Sequence, residues 1–367
     1  LHSKDRPDIF KRDDNYYYID GDVDSFYPFV ILNLRICPAH LDPDMFLEIF
    51  KTIVYTRIEY KKLKDPEAGI LKIVINAIFG KFKDERDFLF DPKATYQTTI
   101  NGQLYLLKWI EMLYYNKITA ISANTDGIVS KIPKDKLDTY YSISDEWAKM
   151  FGFTLSFKEY LLYARLNVNA YMAIDVDNNI KSKGTAFTSK PTLDKGFDTP
   201  IIAISLHNYF KDNIPIEHTI KNHTDIFDFK NKKKAGSNFQ MIYNEYVSDD
   251  IYTTVLQKTN RFYSSDKGYT IFKHDKNSNK LSAYYKNIKL KVLNDVPNYE
   301  NISDFNINYS FYISKATHLL EHIYHLNTKE IKGTKRKSGI SGKLFDNLEE
   351  FEEYEEIDDY EEDSDIF

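Results

Sequence analysis

Apolar positions in this chain switch between strand-like runs and helical stripes. Residues 16–19 are an unbroken aromatic and β-branched run, the pattern of a buried strand, and it ends at Asp20-Gly21-Asp22. Residues 24–34 turn apolar again. Asp42-Pro43-Asp44 reads as a helix start, with Asp42 as N-cap and Pro43 in the first turn. The helix it predicts runs over 45–63, with Ile49, Ile53 and Tyr60 on one stripe, and Lys64-Asp65-Pro66-Glu67 breaks it. A second helix is predicted over 69–77 and stopped by Gly80. A third is predicted over 102–115, apolar at Leu106, Ile110 and Leu113. Two strands, 118–123 and 127–132, flank a tight turn at Asn124-Thr125-Asp126. A helix over 137–151 ends at Gly152, and strands are expected at 154–158, 169–175 and 180–183. After Gly184 the character changes. Residues 200–330 are richer in Lys, Asn and Tyr, with helices expected near 200–213 and 314–326.

Composition sharpens the picture in three ways. With 42% hydrophobic and 15% aromatic residues, the 367-residue chain has ample material for a core and the length of roughly two domains. The lone Cys37 closes no intrachain disulfide and builds no thiolate zinc cluster, which points to a reducing compartment; a cytoplasmic location is expected, the host's if the protein is viral. There is no run of 18 apolar residues and no signal-peptide pattern at the start, so no membrane association is expected. The net charge of −6 is misleading, because residues 346–367 hold 13 acidic residues and no Lys or Arg. Residues 1–345 carry 49 basic against 42 acidic residues, net +7. A basic body with an acidic tail suits a protein that handles a polyanion, and equally an ordinary enzyme with a solvated tail.

Two carboxylates sit at the ends of apolar strands: Asp22 after the 16–19 run and Asp126 in the 124–126 turn. Each alone is an ordinary turn former. Converging at a sheet rim, they suit one or two divalent cations that take hard oxygen ligands. Magnesium is expected, with manganese as a substitute. Between them lies a basic helical hairpin. Arg57 and Lys61 are four apart and share a helix face, and Lys72 is on the next helix, opposite Arg57 across the break. Together they form a triphosphate grip or, failing that, a solvated basic face. Ser25 can offer a hydroxyl to phosphate, and Tyr27 can wall a sugar pocket.

Taken together, these segments resemble family B DNA polymerases. Asp22-Val23-Asp24-Ser25-Phe26-Tyr27-Pro28 is similar to the first palm motif, D-x-x-S-L-Y-P. Residues 72–80, KIVINAIFG, resemble the fingers motif K-x-x-x-N-S-x-Y-G. Asn124-Thr125-Asp126-Gly127 resembles the second palm motif, D-T-D-S. More weakly, Tyr171 with Lys181-Ser182-Lys183-Gly184 resembles the K-x-Y region, and residues 308–316 the closing thumb helix. The likeness covers about residues 16–326. It departs at Asn124, Gly127, Ala77 and Asn169, which replace an acid, two serines and a lysine. Nothing before Asp22 resembles the 3′–5′ exonuclease motifs. The chain is therefore expected to be a fragment, half of a split gene, or a polymerase without proofreading, of the compact phage or viral type.

The resemblance implies an α+β fold: an antiparallel palm sheet with packed helices, a two-helix fingers hairpin and a mostly helical thumb. The expected divisions are a flexible lead-in or truncated boundary at 1–15, palm at 16–44 and 81–199, fingers at 45–80, thumb at 200–326, and a disordered basic-then-acidic tail at 327–367. It implies template-dependent addition of deoxynucleotides to a primer 3′-hydroxyl. Two magnesium ions would be held by Asp22, Asp126 and the Val23 backbone carbonyl. The nucleotide would meet Ser25, Phe26, Tyr27, Arg57, Lys61, Lys72 and Asn76. Primer–template DNA would meet Gly80, Thr125, Tyr171 and Lys183, and the basic patches holding Lys232, Lys258 and Arg261. The implied partners are DNA, deoxynucleoside triphosphates, and a separate exonuclease subunit or processivity factor. The alternatives are a non-catalytic DNA-binding replisome subunit, one half of a split polymerase, and a metal-dependent nuclease.

Overall fold

A computed structural model describes residues 1–190, 199–247, 250–295 and 301–325. The chain begins with β1 (Asp8–Lys11) and β2 (Tyr16–Val23), followed by α1 (Phe26–Asn33). Three helices follow: α2 (Pro43–Lys62), α3 (Glu67–Lys81) and α4 (Pro92–Tyr115). Then come β3 (Thr119–Asn124), β4 (Gly127–Pro133), α5 (Leu137–Phe151), β5 (Leu155–Asn167), β6 (Ala170–Asp175) and β7 (Ile180–Lys183). Strands β1 to β7 form one sheet, ordered β3-β4-β2-β5-β6-β7, with β1 beside the far half of β5. Every pairing in it is antiparallel. The fold is thus the expected mixture of α-helix and antiparallel sheet.

Alternation along β2 explains how the sheet is used. Ile19, Gly21 and Val23 face the helices and are buried, while Asp20 and Asp22 point to the other face. Behind β2, Trp109 of α4 stacks on Trp147 of α5 at 5.0 Å, and its indole N–H donates to Ser144. Gly21 is needed for this approach, since a Cβ there would lie 2.6 Å from the Trp109 ring and 2.9 Å from the Tyr140 hydroxyl. The helical core and the carboxylates thus occupy opposite faces of the same three residues of backbone.

Two helix starts share one device. Asp42 caps α2 by accepting from Met45 N–H, and Asp91 caps α4 by accepting from Lys93 and Ala94, each with proline next. The second signal extends the third predicted helix ten residues toward the N-terminus. In α2 the buried stripe is Leu47, Phe50 and Val54, and Ile49, expected inside, is exposed. Gly80 does not stop α3, which runs through it to Lys81. The helix over 137–151 ends as expected, with Gly152 at φ 71°.

Two further expectations are corrected. The segment before residue 16 is held on the sheet: β1 pairs with β5, His2 bridges Asn124, and Asp5 forms an ion pair with buried Arg165 at 3.2 Å. The region after 199 is not mostly helical. It holds α6 (Pro200–Asp212), α7 (Ile216–Asn222) and α8 (Tyr309–Ile323). Its strands are β8 (Asn231–Lys234), β9 (Phe239–Val247), β10 (Asp250–Val255), β11 (Thr259–Tyr269), β12 (Ile271–Asp275), β13 (Leu281–Ala283) and β14 (Leu290–Val292). They form a β10-β9-β12-β13 sheet and a β14-β11-β8 sheet. Fully buried Tyr312 ties α8 to β11 by accepting from Ser264 N–H at 2.7 Å, and to the turn before β8 by donating to the Phe229 carbonyl at 2.9 Å. Residues Leu1–His325 form one compact unit. The basic-then-acidic tail lies outside the described residues.

Candidate active site

The β3–β4 hairpin is built to present Asp126. Asn124 pairs with Gly127 across a two-residue loop in which Thr125 takes a left-handed φ of 55°, uncommon for a β-branched residue. The Asn124 side chain braces the loop, donating to the Val168 carbonyl at 3.1 Å and accepting from the Thr125 hydroxyl at 3.2 Å. It therefore acts as a brace at the position where the related motif has an acid. Next to it, Asp22 stands opposite Gly127 in the β2–β4 ladder. Val23 N–H donates to the Asp126 carbonyl at 2.8 Å, tying the two acid-bearing segments together. Gly127 leaves a gap here, since a Cβ on it would sit 3.0 Å from Asp22 Oδ1 and 3.6 Å from Asp20 Oδ1.

Asp22 and Asp126 line one cavity of about 320 Å³ with Asp20, Thr125, Tyr171, Lys181 and Lys183. A second cavity, of about 480 Å³, shares Asp20, Asp22 and Lys181 and extends past Lys158, Glu159 and Asp177. Water reaches both carboxylates, yet the walls displace enough of it to disfavour their charge. This desolvation, then the charges of Asp126 and Asp20, push Asp22 up to about 7. Desolvation and Asp20 also raise Asp126, with Lys181 and Lys183 opposing. Negative charge at this rim is thus incompletely compensated by the protein.

The helical hairpin meets the sheet immediately after Asp22. Ser25, in a left-handed conformation at φ 54°, begins α1. Its hydroxyl accepts from Arg57 Nη1 at 2.6 Å, and Asp24 accepts from Lys61 at 3.0 Å. Arg57 keeps its Nε buried and without a hydrogen-bond partner. Tyr27 is half-buried and packs on Phe79 of α3 at 4.8 Å. Burial and the Asp126 charge raise the Tyr27 phenol pKa. Phe26 is in the core at 3% exposure, so its side chain supports Tyr27 and cannot face a nucleotide. Lys72 and Asn76 are exposed on α3, and Gly80 lies inside that helix with open space beside it. Lys232 stands opposite Arg261 in the β8–β11 pair, and Lys258 bonds Ala235 N–H through its carbonyl. None of these three lines either cavity.

Sequence reasoning passed over Asp20 and Lys181 as site residues. Asp20 shares Asp22's face by the two-residue period of a strand, and that was its only local signal. Its Oδ2 accepts from Lys181 at 2.8 Å and from the buried Tyr160 hydroxyl at 2.6 Å. Among the described residues, no three or more His, Cys, Asp or Glu are grouped as a ready-made metal site. No helix among them is long and apolar enough to cross a membrane.

No protein-family model and no curated protein matches the sequence. Among solved structures, the chain is similar to the family B DNA polymerase from the hyperthermophilic archaeon Pyrobaculum calidifontis. The match has 13% identity and a TM-score of 0.47, and covers 91% of this chain and 47% of that one. The chain spans about half the length of that polymerase.

Proposed function

We propose that this chain is the core of a template-dependent DNA polymerase. One observation carries the reading: Asp22 on β2 and Asp126 in the adjoining β3–β4 turn face one cavity, and the Arg57/Lys61 helix reaches the turn directly after Asp22. Phosphoryl transfer between polyanions calls for this pairing of acids with an adjacent cationic arm.

The donor chemistry fits magnesium. Two hard carboxylates repel each other beside a gap that Gly127 leaves clear, and the described residues supply no complete cage. Magnesium is commonly held by one or two carboxylates plus substrate phosphates. Asp22 and Asp126 would hold it, with the Val23 carbonyl alongside. When bound, it would offset charge on the attacking and leaving oxygens. Arg57, Lys61 and exposed Lys72 bind the triphosphate, and the buried, unpartnered Nε of Arg57 gains an acceptor there. Tyr27, wedged against Phe79, walls the sugar against a ribose 2′-hydroxyl, and Asn76 lines the base pair. The primer 3′-hydroxyl attacks the α-phosphate and pyrophosphate leaves. Lys232, Lys258 and Arg261 offer sequence-independent contacts to duplex phosphates.

A second reading, a DNA-binding subunit without catalysis or one half of a divided polymerase, is favoured by Asn124, whose carboxamide is engaged in bracing the loop. Primer extension with magnesium and four deoxynucleotides separates the two. Extension that vanishes in Asp126→Asn supports the polymerase. Wild-type binding to primer–template without extension supports the second reading, and cleavage of labelled DNA without nucleotides would support a nuclease.

A further inference from the structure

Lys181 is the feature that the proposed reaction leaves without a role. It lies on β7, three places from β2 in the sheet order, yet its ammonium reaches Asp20 on β2. Ala173 is its partner on β6, a small residue that leaves the path open. Asp20 is fixed in turn by Tyr160, which is fully buried and whose phenol is held protonated by burial and by Asp20 itself. Tyr171 on β6 lies close enough for the Lys181 charge to oppose the rise that burial causes in its phenol pKa. A lysine ammonium has three donors, and Asp20 takes one of them. The side chain remains 46% exposed and lines both cavities. A structural ion pair in a sheet needs no such location. A fixed cation with a spare donor, at the wall between two cavities, suits a phosphate oxygen.

We propose that Lys181 is a phosphate-contacting cation of this site, and that Asp20, braced by Tyr160, is the positioning residue that aims it at the backbone of the strand whose 3′ end enters the Asp22–Asp126 cavity. The inference rests on the polymerase reading and extends it. Asn169, where the related motif has lysine, is exposed at the β5–β6 turn, outside both cavities. Lys181 supplies the charge from a different strand, and Asp20 limits its motion so that little side-chain freedom is lost on binding.

The test uses the full chain and a fluorescent primer–template duplex without nucleotide, titrated over a range of salt. Lys181→Met is expected to weaken binding roughly three- to tenfold and to lower the salt slope by about one unit, as loss of one phosphate contact requires. Lys181→Arg is expected to retain most of the affinity. Asp20→Asn keeps the ammonium but frees it, with a smaller loss. The double variant Asp20→Asn/Lys181→Met is decisive, because it removes the buried charge imbalance that either single change creates. It should bind as weakly as Lys181→Met. Recovery to wild-type affinity would show a purely structural pair and overturn the proposal, as would an unchanged affinity and salt slope in Lys181→Met. Unchanged duplex affinity with a raised nucleotide KM would likewise overturn it, because the cation would then serve the nucleotide and not the strand. A wild type that extends primers while Lys181→Met binds normally removes only this inference. A wild type that neither binds nor extends removes the polymerase reading and this inference with it.

Discussion

On the sheet, Asp22 and Asp126 are placed by backbone: the β2–β4 register, a two-residue hairpin, and a glycine gap between them. On the helical hairpin, Arg57 and Lys61 are placed by side chains reaching Ser25 and Asp24 from a lightly covered pair of helices. Helix α3 buries only Ile75 fully, and Ile70 and Ile73 stay exposed. The acids are brought together by backbone and repel, so their electrostatic strain is carried by the packing behind the sheet. Two of the cations already hold neighbours that a phosphate could replace, Arg57 Nη1 on Ser25 and Lys61 on Asp24. One region stores unfavourable charge, and the other keeps exchangeable contacts. Charge removal should therefore act oppositely on the two regions, stabilising the sheet without metal and changing the arm chiefly through ligand affinity.

The largest effect is expected at the acids. Asp22→Asn or Asp126→Asn should lower primer extension by about a thousandfold or more, since metal-assisted charge stabilisation is worth several kcal/mol. Stability should move the other way. Asp22 titrates near 7 when folded, against 3.8 in the unfolded chain, so the folded protein keeps a proton that the unfolded chain releases. Stability of the metal-free protein should fall as pH rises from about 4 to 7. At pH 8, metal-free Asp22→Asn should melt above wild type, and millimolar magnesium should raise the wild-type Tm more than the variant's. Equal melting temperatures for both proteins across that pH range would mean the rim is not strained. Next in size is the support behind the sheet. Gly21→Ala forces a methyl against the Trp109 ring and should cost about 1–3 kcal/mol, seen as a lower Tm in thermal melts. Retention of wild-type stability would show that Trp109 and Tyr140 can yield, and that the acids are held by less than the core.

Most of the sheet and both ends of α5 were legible because alternation, capping and a positive-φ glycine are local signals. Helix α1 was not, since residues 26–33 are apolar all round and a buried helix has no stripe. The strands after 230 hid in Lys- and Asn-rich sequence. The like charges Lys232 and Arg261 face each other across β8 and β11, where pattern alone predicts surface loop. At the site, Asp22 and Asp126 were legible because each ends an apolar run. Asp20 and Lys181 were not, because their meaning lies in a contact across 161 positions of sequence. Phe26 sits inside the same recognisable motif as Asp22, and its side chain serves the core.

The arm yields the smaller effects and sets the comparison most finely. Arg57→Met should raise the nucleotide KM by roughly tenfold while leaving duplex affinity unchanged, because it removes a charged hydrogen-bonding fork worth about 1.5–3 kcal/mol to phosphate. A fall in kcat at constant KM would instead place Arg57 at the reacting atoms. Asp24→Asn should have the least effect, and its sign is informative. The Asp24–Lys61 pair is exposed, with Lys61 open to solvent, so its loss should change folding stability by less than about 1 kcal/mol. The freed ammonium no longer has to leave a carboxylate when a triphosphate arrives. Steady-state kinetics should then show a nucleotide KM lowered a few-fold at unchanged kcat, with the gain shrinking as salt screens the competing charge. A raised KM would mean that Asp24 aims Lys61 and does not compete for it. The cationic arm would then be pre-positioned by its partners just as the acids are by backbone, and the contrast between the two regions would disappear.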